Sequence, residues 1–368
     1  MRDKILKKKG KAESSTGAKK RKEKGKAKAK ESQKGKQRQD EDEDEDDEDD
    51  EEDIQKPGSA RDFSNRTRTR NSPSKFCEVL SQLSAEQTQW IRATGFHELL
   101  NFSIKELPHR LGFQLLKSFD EDKCVLNLEC GEIPITEEDV HLVLGLPKGT
   151  LPVELETDED SQAEKEKPFR AQFGKSHVRT SDLVSEIKKG TADDHFKTNF
   201  LVLMGNTLIQ TVSNGLVDQR LVRFKGDINR CSVYNWCSYL LQSLKNCKKE
   251  WAKDPATKYF CGPLVFLILF YVDRVWIKIE TEVVRTIPRF TAWSDKDLRA
   301  RERKETSENL FGKGRIRSAD ESTEQTQEVD RNLDEERKRV SKYMTLFFDL
   351  QYFLRTLFLR CSHQWEVR

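Results

Sequence analysis

The chain contains 368 residues, of which 35% are charged and 35% are hydrophobic, and its formal net charge is +2 at pH 7. A fully packed enzyme of this length is normally more apolar, so the composition predicts that part of the chain lies outside any hydrophobic core. No apolar stretch reaches the ~20 residues of a membrane-spanning helix, and no apolar segment follows the lysine-rich start as in a secretory signal. We therefore expect a cytosolic or nuclear protein with reduced thiols and no membrane contact.

The first 75 residues are strongly charged and of low complexity. Residues 1–39 contain 17 Lys and Arg against 4 Asp and Glu, and residues 40–53 are 14 consecutive acidic residues. Such a segment buries too little apolar surface to offset its ordering entropy, so residues 1–75 are predicted to be a disordered charged tail. Its densest basic run has the composition of a nuclear localisation signal and consists of Lys19, Lys20, Arg21, Lys22, Lys24 and Lys26.

Two other interpretations of this basic tail stay open. It is either a solubilising segment or a weak contact for nucleic acid. The acidic run beside it weakens the second interpretation, because neighbouring charges of opposite sign pair within a Debye length of about 8 Å. The acidic run itself suits a basic partner such as a histone. Residues 66–74, at the end of the tail, are predicted to be an exposed basic linker with a phosphorylation site.

From Phe76 the sequence predicts a mainly α-helical domain that extends to residue 300 and contains a small β-hairpin. Ser84 and Gln87 have the spacing of a capping box at a helix start. Residues 124–128 and 132–135 flank a Gly-containing turn and predict the hairpin. Thr136 then caps a helix whose first turn is acidic, and Gly145 ends it.

The second half of this domain is predicted to be helical, after a break. Residues 148–172 are mostly polar and are interpreted as a mobile surface loop. Further helices are expected over residues 180–190, 192–210, 232–251 and 259–279, and the last of these is the most apolar and is expected to lie at the centre of the core. A polar linker is predicted for residues 301–330 and a C-terminal helix for residues 331–368.

The residue types that carry chemistry do not combine into a known site. Neither C-x5-C pair, Cys124 with Cys130 or Cys231 with Cys237, has the spacing of a zinc site. The acidic residues 137–139 are compatible with a metal, but their position at a helix start favours a structural role. The basic side chains that follow the apolar helix either face phosphates or form a solvated rim; they are Arg274, Lys278, Arg285 and Arg289.

Residues 125–147 read VLNLECGEIPITEEDVHLVLGLP and contain a Gly-Glu pair, a Thr-x-Glu-Asp-Val helix start and a Leu-Gly-Leu-Pro end. This block resembles the signature of the aminotransferase-like plant mobile domain family, and the resemblance extends over about residues 76–300. The matching positions are Gly131, Glu132, Thr136, Glu138, Asp139, Val140, Leu144, Gly145, Leu146 and Pro147.

The resemblance implies a plant nuclear protein of transposon origin, with a link to repeat silencing or development. It implies no catalytic residue, cofactor or metal, so we expect a non-catalytic interaction or chromatin-associated module whose nuclear protein partner is not identified. Because relatives are sometimes fused to a deSUMOylating cysteine protease, an enzyme remnant is one alternative, either this protease or a nuclease. His195, Asp218 and Cys261 occur in a permissive order for the protease, but the flanking residues do not match. Nucleic-acid binding through the lysine-rich tail is the other alternative.

Overall fold

The computed structural model of the chain describes residues 65–70, 73–277 and 283–321, together with seven residues between 335 and 344. The described residues are mainly helical with little sheet, which confirms the predicted fold class. The α-helices are α1 (Ser74–Leu80), α2 (Ala85–Ala93), α3 (His109–Ser118), α4 (Glu137–Leu144), α5 (Glu159–Ala171), α6 (Thr180–Ile187), α7 (Asp194–Leu208), α8 (Trp236–Trp251), α9 (Leu264–Arg274) and α10 (Asp295–Ser307). Short 3₁₀ helices span His97–Asn101, Arg220–Arg223, Ile228–Val233 and Arg289–Ala292.

Two small antiparallel sheets accompany these helices. The predicted hairpin is confirmed by β2 (Val125–Leu128) and β3 (Gly131–Pro134), in which Leu126 lies opposite Ile133. A short strand that the sequence did not predict, β1 (Phe119–Asp120), pairs with β2 on its other side. The second sheet joins β4 (Val275–Trp276) to β5 (Arg315–Ile316). Both sheets are too small to form a core of their own, so they extend the helical core instead.

Helix α9 lies at the centre of this core, as its composition predicts. Every residue from Leu264 to Asp273 is buried, as expected for a helix that is apolar on all sides. Helices α3, α4 and α7 pack against it. The helix is shorter than the predicted 259–279, because Pro263 precedes its first turn and the chain becomes extended at Val275.

The prediction of a mobile loop at residues 148–172 is wrong for residues 159–171, which form α5. Asp158 caps this helix by accepting a hydrogen bond from the Ser161 N–H at 3.0 Å. Phe169 is buried and packs edge-on against Phe173 with the ring centroids 5.3 Å apart. The prediction of a loop rested on the polar composition of this segment. Glu, Gln, Lys and Ala are strong helix formers, however, and one buried aromatic residue is enough to hold a surface helix against the core.

Two predicted boundaries also need correction. The tail does not extend to residue 75, since Thr67 is buried and its N–H donates to the His109 carbonyl at 3.0 Å. The Arg68 carbonyl accepts a hydrogen bond from the Phe260 N–H at 2.7 Å, so the expected exposed linker is bound to the domain here. At the other end the predicted linker from 301 is wrong as far as residue 321, because α10 continues to Ser307 and β5 follows it.

Several predictions concern residues outside the described ranges. The basic and acidic runs of the tail, residues 322–330 of the predicted linker and most of the predicted C-terminal helix all fall there. Residues 338–340 and 342–344 are helical, in agreement with that last prediction over this short stretch. In the part of the chain that the structure describes, no helix is long and apolar enough to cross a membrane.

Candidate functional site

The segment of residues 131–147 builds a turn, a helix cap and a helix stop. Gly131 begins β3 with a positive φ of 131°, and Glu132 beside it is exposed. Thr136 and Asp139 form a complete capping box: the Thr136 N–H donates to Asp139 Oδ2 at 2.9 Å, and the Asp139 N–H donates to Thr136 Oγ1 at 3.3 Å. Gly145 ends α4 in the left-handed region with φ 66°. These are the local roles that the sequence predicts for them.

The remaining matched positions of this segment have structural contacts as well. Val140 is fully buried in the core. The Leu146 carbonyl accepts a hydrogen bond from Cys237 Sγ at 3.3 Å, and the Pro147 carbonyl accepts one from the Trp236 N–H at 3.0 Å. Glu138 is exposed and pairs with Lys148, whose ammonium group holds the pKa of the Glu138 carboxyl below its ordinary value. The end of α4 is thus fixed to the start of α8.

Asp139 joins this segment to the central helix. Its Oδ1 accepts a hydrogen bond from Arg274 Nη1 at 2.7 Å, and both side chains are largely buried. Arg274 in turn donates from Nε to the carbonyl of Arg317 at 2.8 Å. The carboxylate therefore serves a helix cap and an ion pair at once, and a metal ion would have to displace both.

A cluster of four arginines surrounds the end of α9; we call Arg274, Arg285, Arg289 and Arg317 the arginine cluster. Arg285 donates two hydrogen bonds to the Asp273 carboxylate, and the one from Nε to Oδ1 is 2.8 Å long. Arg289 Nε lies 3.7 Å from the same carboxylate, and Arg317 Nε donates to the Asp273 carbonyl at 2.9 Å. Arg285, Arg289 and Arg317 have almost no exposed side-chain surface.

This arrangement corrects the expectation for the basic residues after the apolar helix. Arg274, Arg285 and Arg289 neither form a solvated rim nor present a free basic surface, because their guanidinium groups are buried against Asp139 and Asp273. Lys278 lies outside the described residues. Sequence reasoning placed these arginines near one another, but it missed Arg317, which lies about forty positions further along the chain and was assigned to a linker.

A second buried network fixes α10 to α9. Arg301 and Glu305, one helical turn apart, form an ion pair with 2% of either side chain exposed. The Tyr271 hydroxyl donates to Glu305 Oε2 at 2.9 Å, and Arg301 Nη2 donates to the Val275 carbonyl at 2.6 Å. Burial raises the pKa of the Glu305 carboxyl above its ordinary value. The sequence gives no signal for this network, because the i, i+4 spacing of Arg301 and Glu305 lies in a strongly charged stretch and is equally typical of an exposed helical pair.

The three residues considered for a cysteine protease do not form a catalytic triad. Cys261 is half-buried, and its carbonyl accepts a hydrogen bond from the Thr211 N–H, just past the end of α7. His195 lies in the first turn of α7, so the length of that helix, about 20 Å, separates the two. Asp218 pairs with Arg220, with Asp218 Oδ2 2.8 Å from Arg220 Nε. This geometry does not provide a base for the thiol.

The cysteines of the described residues are all free thiols. Desolvation is the largest cause of raised pKa values throughout this group, and it brings the pKa of Cys77 and of Cys247 to about 11. The pKa of Cys261 is raised by the same cause. Within the described ranges, no three His, Cys, Asp or Glu residues are grouped so that they could hold a metal ion.

We predict that Cys261 reacts slowly with iodoacetamide at pH 7.5, slower than the thiol of glutathione, because its raised pKa leaves a smaller thiolate fraction. Rates are measured by mass spectrometry of the intact chain and its peptides. Cys261→Ser is expected to cost only a small loss of thermal stability. Rapid labelling of Cys261, or a hydrolytic activity that disappears in Cys261→Ser, would contradict the prediction.

The tryptophans in the second half of the domain belong mostly to the core. Trp236, Trp251 and Trp293 are buried. Trp236 lies edge-on to Phe96 with the ring centroids 5.4 Å apart, and Trp251 packs likewise against Phe113 at 5.8 Å. Tyr239 and Trp276 are half-buried. These aromatic residues therefore recur at helical spacing because they pack in the core.

Comparison with known families gives one match. The family model described as Domain of unknown function (DUF8566) matches residues 69–268. No curated protein and no solved structure matches the chain. The matched region contains α1 to α8, both C-x5-C pairs and the segment 131–147.

This match overturns the expected resemblance to the aminotransferase-like plant mobile domain family, which is wrong. The transposon origin, repeat silencing and developmental role that the resemblance implied have no support. The physical reason lies in the residues that carried the resemblance: Thr136, Asp139 and Gly145 form a helix cap and a helix stop, which unrelated helical domains also use.

Proposed function

Since the chain belongs to the family described as Domain of unknown function (DUF8566), a description that assigns no activity, we propose that this domain is a non-catalytic binding module that acts in the nucleus. The observation that carries the proposal is that the carboxylates around α9 are paired with arginines. Asp139, Asp273 and Glu305 each accept hydrogen bonds from a buried arginine. Groups held in this way stabilise a scaffold, and using one as an acid, base or metal ligand would leave a buried arginine unpaired.

The thiols support the same proposal. A nucleophilic cysteine needs a lowered pKa and an adjacent base. Desolvation raises the pKa of Cys261 instead of lowering it. The length of α7 also separates Cys261 from His195. These two observations favour the non-catalytic proposal over the cysteine protease alternative.

The nuclear part of the proposal rests on the sequence of the tail. The run from Lys19 to Lys26 contains six basic residues among eight, followed after residue 39 by acidic residues only up to 53. A dense basic run of this length is the chemistry that nuclear import recognises. The run lies outside the described residues, so the experiment has to test it directly.

We predict that replacing the six basic residues by alanine abolishes nuclear accumulation of a fusion that is too large to diffuse through nuclear pores; they are Lys19, Lys20, Arg21, Lys22, Lys24 and Lys26. A matched control removes the same number of basic charges elsewhere in the tail, at Lys11, Lys28, Lys30, Lys34, Lys36 and Arg38. Fluorescence microscopy of both variants gives the nuclear fraction. Unchanged accumulation of the first variant, or equal loss in both, would overturn the nuclear assignment.

Nucleic-acid binding through the tail is the second candidate function, favoured by the 17 basic residues of residues 1–39. It makes a separate forecast, because each neutralised phosphate contributes to the slope of log affinity against log salt. If the tail binds DNA, the same six-alanine variant loses several units of that slope. If the domain acts as the proposed binding module instead, the full chain binds DNA weakly, and the six-alanine substitution changes the slope of log affinity against log salt only a little.

A further inference from the structure

The arginine cluster holds a short segment, residues 318–321, which we call the strap; Ser318 and Asp320 in it are exposed. Arg285 Nη1 donates to the carbonyls of Ser318, at 3.0 Å, and Glu321, at 2.5 Å. Arg289 Nη2 donates to the carbonyl of Ala319 at 2.7 Å. The strap therefore crosses the cluster with its carbonyl oxygens toward the guanidinium groups.

Positive charge exceeds negative charge at this place among the described residues. Three of the four guanidinium groups contact a carboxylate, Arg274 that of Asp139 and both Arg285 and Arg289 that of Asp273. Arg317 donates to the backbone carbonyl of Asp273 instead. Burial, opposed in part by Asp273, lowers the pKa of Arg317 to about 10 and also lowers that of Arg289. Carbonyl oxygens compensate a guanidinium charge less well than an anion does, so an additional anion beside the strap would be stabilised.

Ser318 is the residue of the strap that can acquire such an anion. It is exposed, and acidic residues stand two and three positions after it, at Asp320 and Glu321. Acidophilic serine kinases select carboxylates at this spacing. The same two acidic positions follow Ser118, and an acidic residue at the third position alone follows several other serines, so the pattern by itself is weak. These other serines are Ser59, Ser103, Ser161 and Ser294. What distinguishes Ser318 is its position beside Arg285, whose guanidinium group donates a hydrogen bond to the carbonyl oxygen of Ser318.

We propose that Ser318 is a phosphorylation site and that the arginine cluster holds its phosphate. In the reaction, Ser318 Oγ attacks the γ-phosphorus of ATP and forms a new O–P bond. The bond from that phosphorus to the β,γ-bridging oxygen breaks, ADP leaves, and the base of the kinase takes the hydroxyl proton. The product adds a charge of about −1.5 to −2 and three acceptor oxygens.

The charges around the strap favour this product. Arg285, Arg289 and Arg317 lie on its inner side, and Arg315 is near its start, with Arg315 Nη2 2.8 Å from Glu321 Oε1. Asp320 opposes the phosphate but is exposed, so water screens it. Glu321 opposes it more directly, since its largely buried carboxylate accepts a hydrogen bond from the Ser318 N–H at 3.3 Å, but Arg315 compensates the charge of that carboxylate. Phosphorylation thus binds the strap more firmly to the end of α9.

The test uses the full chain, ATP and an acidophilic serine kinase, with the modified residues assigned by mass spectrometry. We expect incorporation at Ser318 and its loss in Ser318→Ala. Ser294 is the matched control: it is exposed, with Asp297 three positions later, but its Oγ donates to that carboxylate at 2.6 Å in a helix cap. Failure to modify Ser318 would overturn the proposal.

The second arm measures the phosphate itself by phosphorus NMR. Beside the cluster, the second pKa of phosphoserine 318 should lie at least about half a unit below its ordinary value of about 6. Arg289→Gln should move it back toward that value. If Arg289→Gln does not fold, the less buried Arg315→Gln serves the same purpose. An ordinary phosphate pKa, or one insensitive to these substitutions, would mean that the arginines do not hold the phosphate.

Discussion

Replacing Arg301 with methionine is expected to lower the free energy of unfolding by about 3–5 kcal/mol, because it leaves the buried carboxylate of Glu305 without its cation. Methionine keeps much of the side-chain volume, so the loss reports charge more than packing. The Tyr271 hydroxyl, 2.9 Å from Glu305 Oε2, is then the main remaining partner described for that carboxylate. Urea denaturation followed by circular dichroism measures the change.

The same helix offers a matched control. Arg299 pairs with Glu106 at 2.6 Å, but more than half of each side chain is exposed. Arg299→Met should therefore cost no more than about 1 kcal/mol. The double substitution Arg301→Met with Glu305→Gln should recover part of the loss, since the neutral amide no longer needs a cation. Equal costs for Arg301→Met and Arg299→Met would show that the buried pair has no special role.

The loss in Arg301→Met should also depend on pH. Burial raises the pKa of Glu305, so the folded chain binds this proton more tightly than the unfolded chain, and its contribution to stability falls as pH rises above about 4.3. Removing the opposing cation enlarges this effect. The stability difference from the unsubstituted chain should accordingly be smallest near the unfolded pKa and grow toward neutral pH. A difference that stays constant over this range would contradict the assigned cause.

Replacing Gly145 with alanine is the second substitution with a large expected effect. Gly145 is buried and has a left-handed backbone with φ 66°, which costs an L-residue about 1–2 kcal/mol. The added methyl would also lie 2.5 Å from the Cβ atom of Glu98, a position that the backbone of the 3₁₀ helix His97–Asn101 fixes. Relieving this overlap should cost a further ~1–3 kcal/mol.

Gly174 separates the two contributions. Its φ of 64° is nearly the same, but a Cβ atom there meets nothing within 4 Å. Gly174→Ala should therefore show the conformational cost alone, and Gly145→Ala should exceed it by the packing cost. Both are measured by the same urea denaturation. If the two variants unfold at the same urea concentration, the contact with Glu98 is not a constraint on the fold.

The sequence by itself determined the features that depend on neighbouring residues. The capping box at Ser84, the helix cap at Thr136, the hairpin turn before Gly131 and the stop at Gly145 are all confirmed, because each is built from residues a few positions apart. The central position of α9 also followed from composition, since a helix that is apolar on all sides has to be buried.

Only the tertiary structure decided which charges meet. Asp139 and Arg274 are 135 positions apart, and Arg317 reaches the Asp273 carbonyl over 44 positions. No local pattern encodes such pairs, because a side chain's charge is visible in the sequence but its distance from another charge is set by how the helices pack. For the same reason the sequence predicts a loop where α5 forms and a linker over residues 301–321: Phe169, Arg301 and Arg317 become core residues only once their partners are in place.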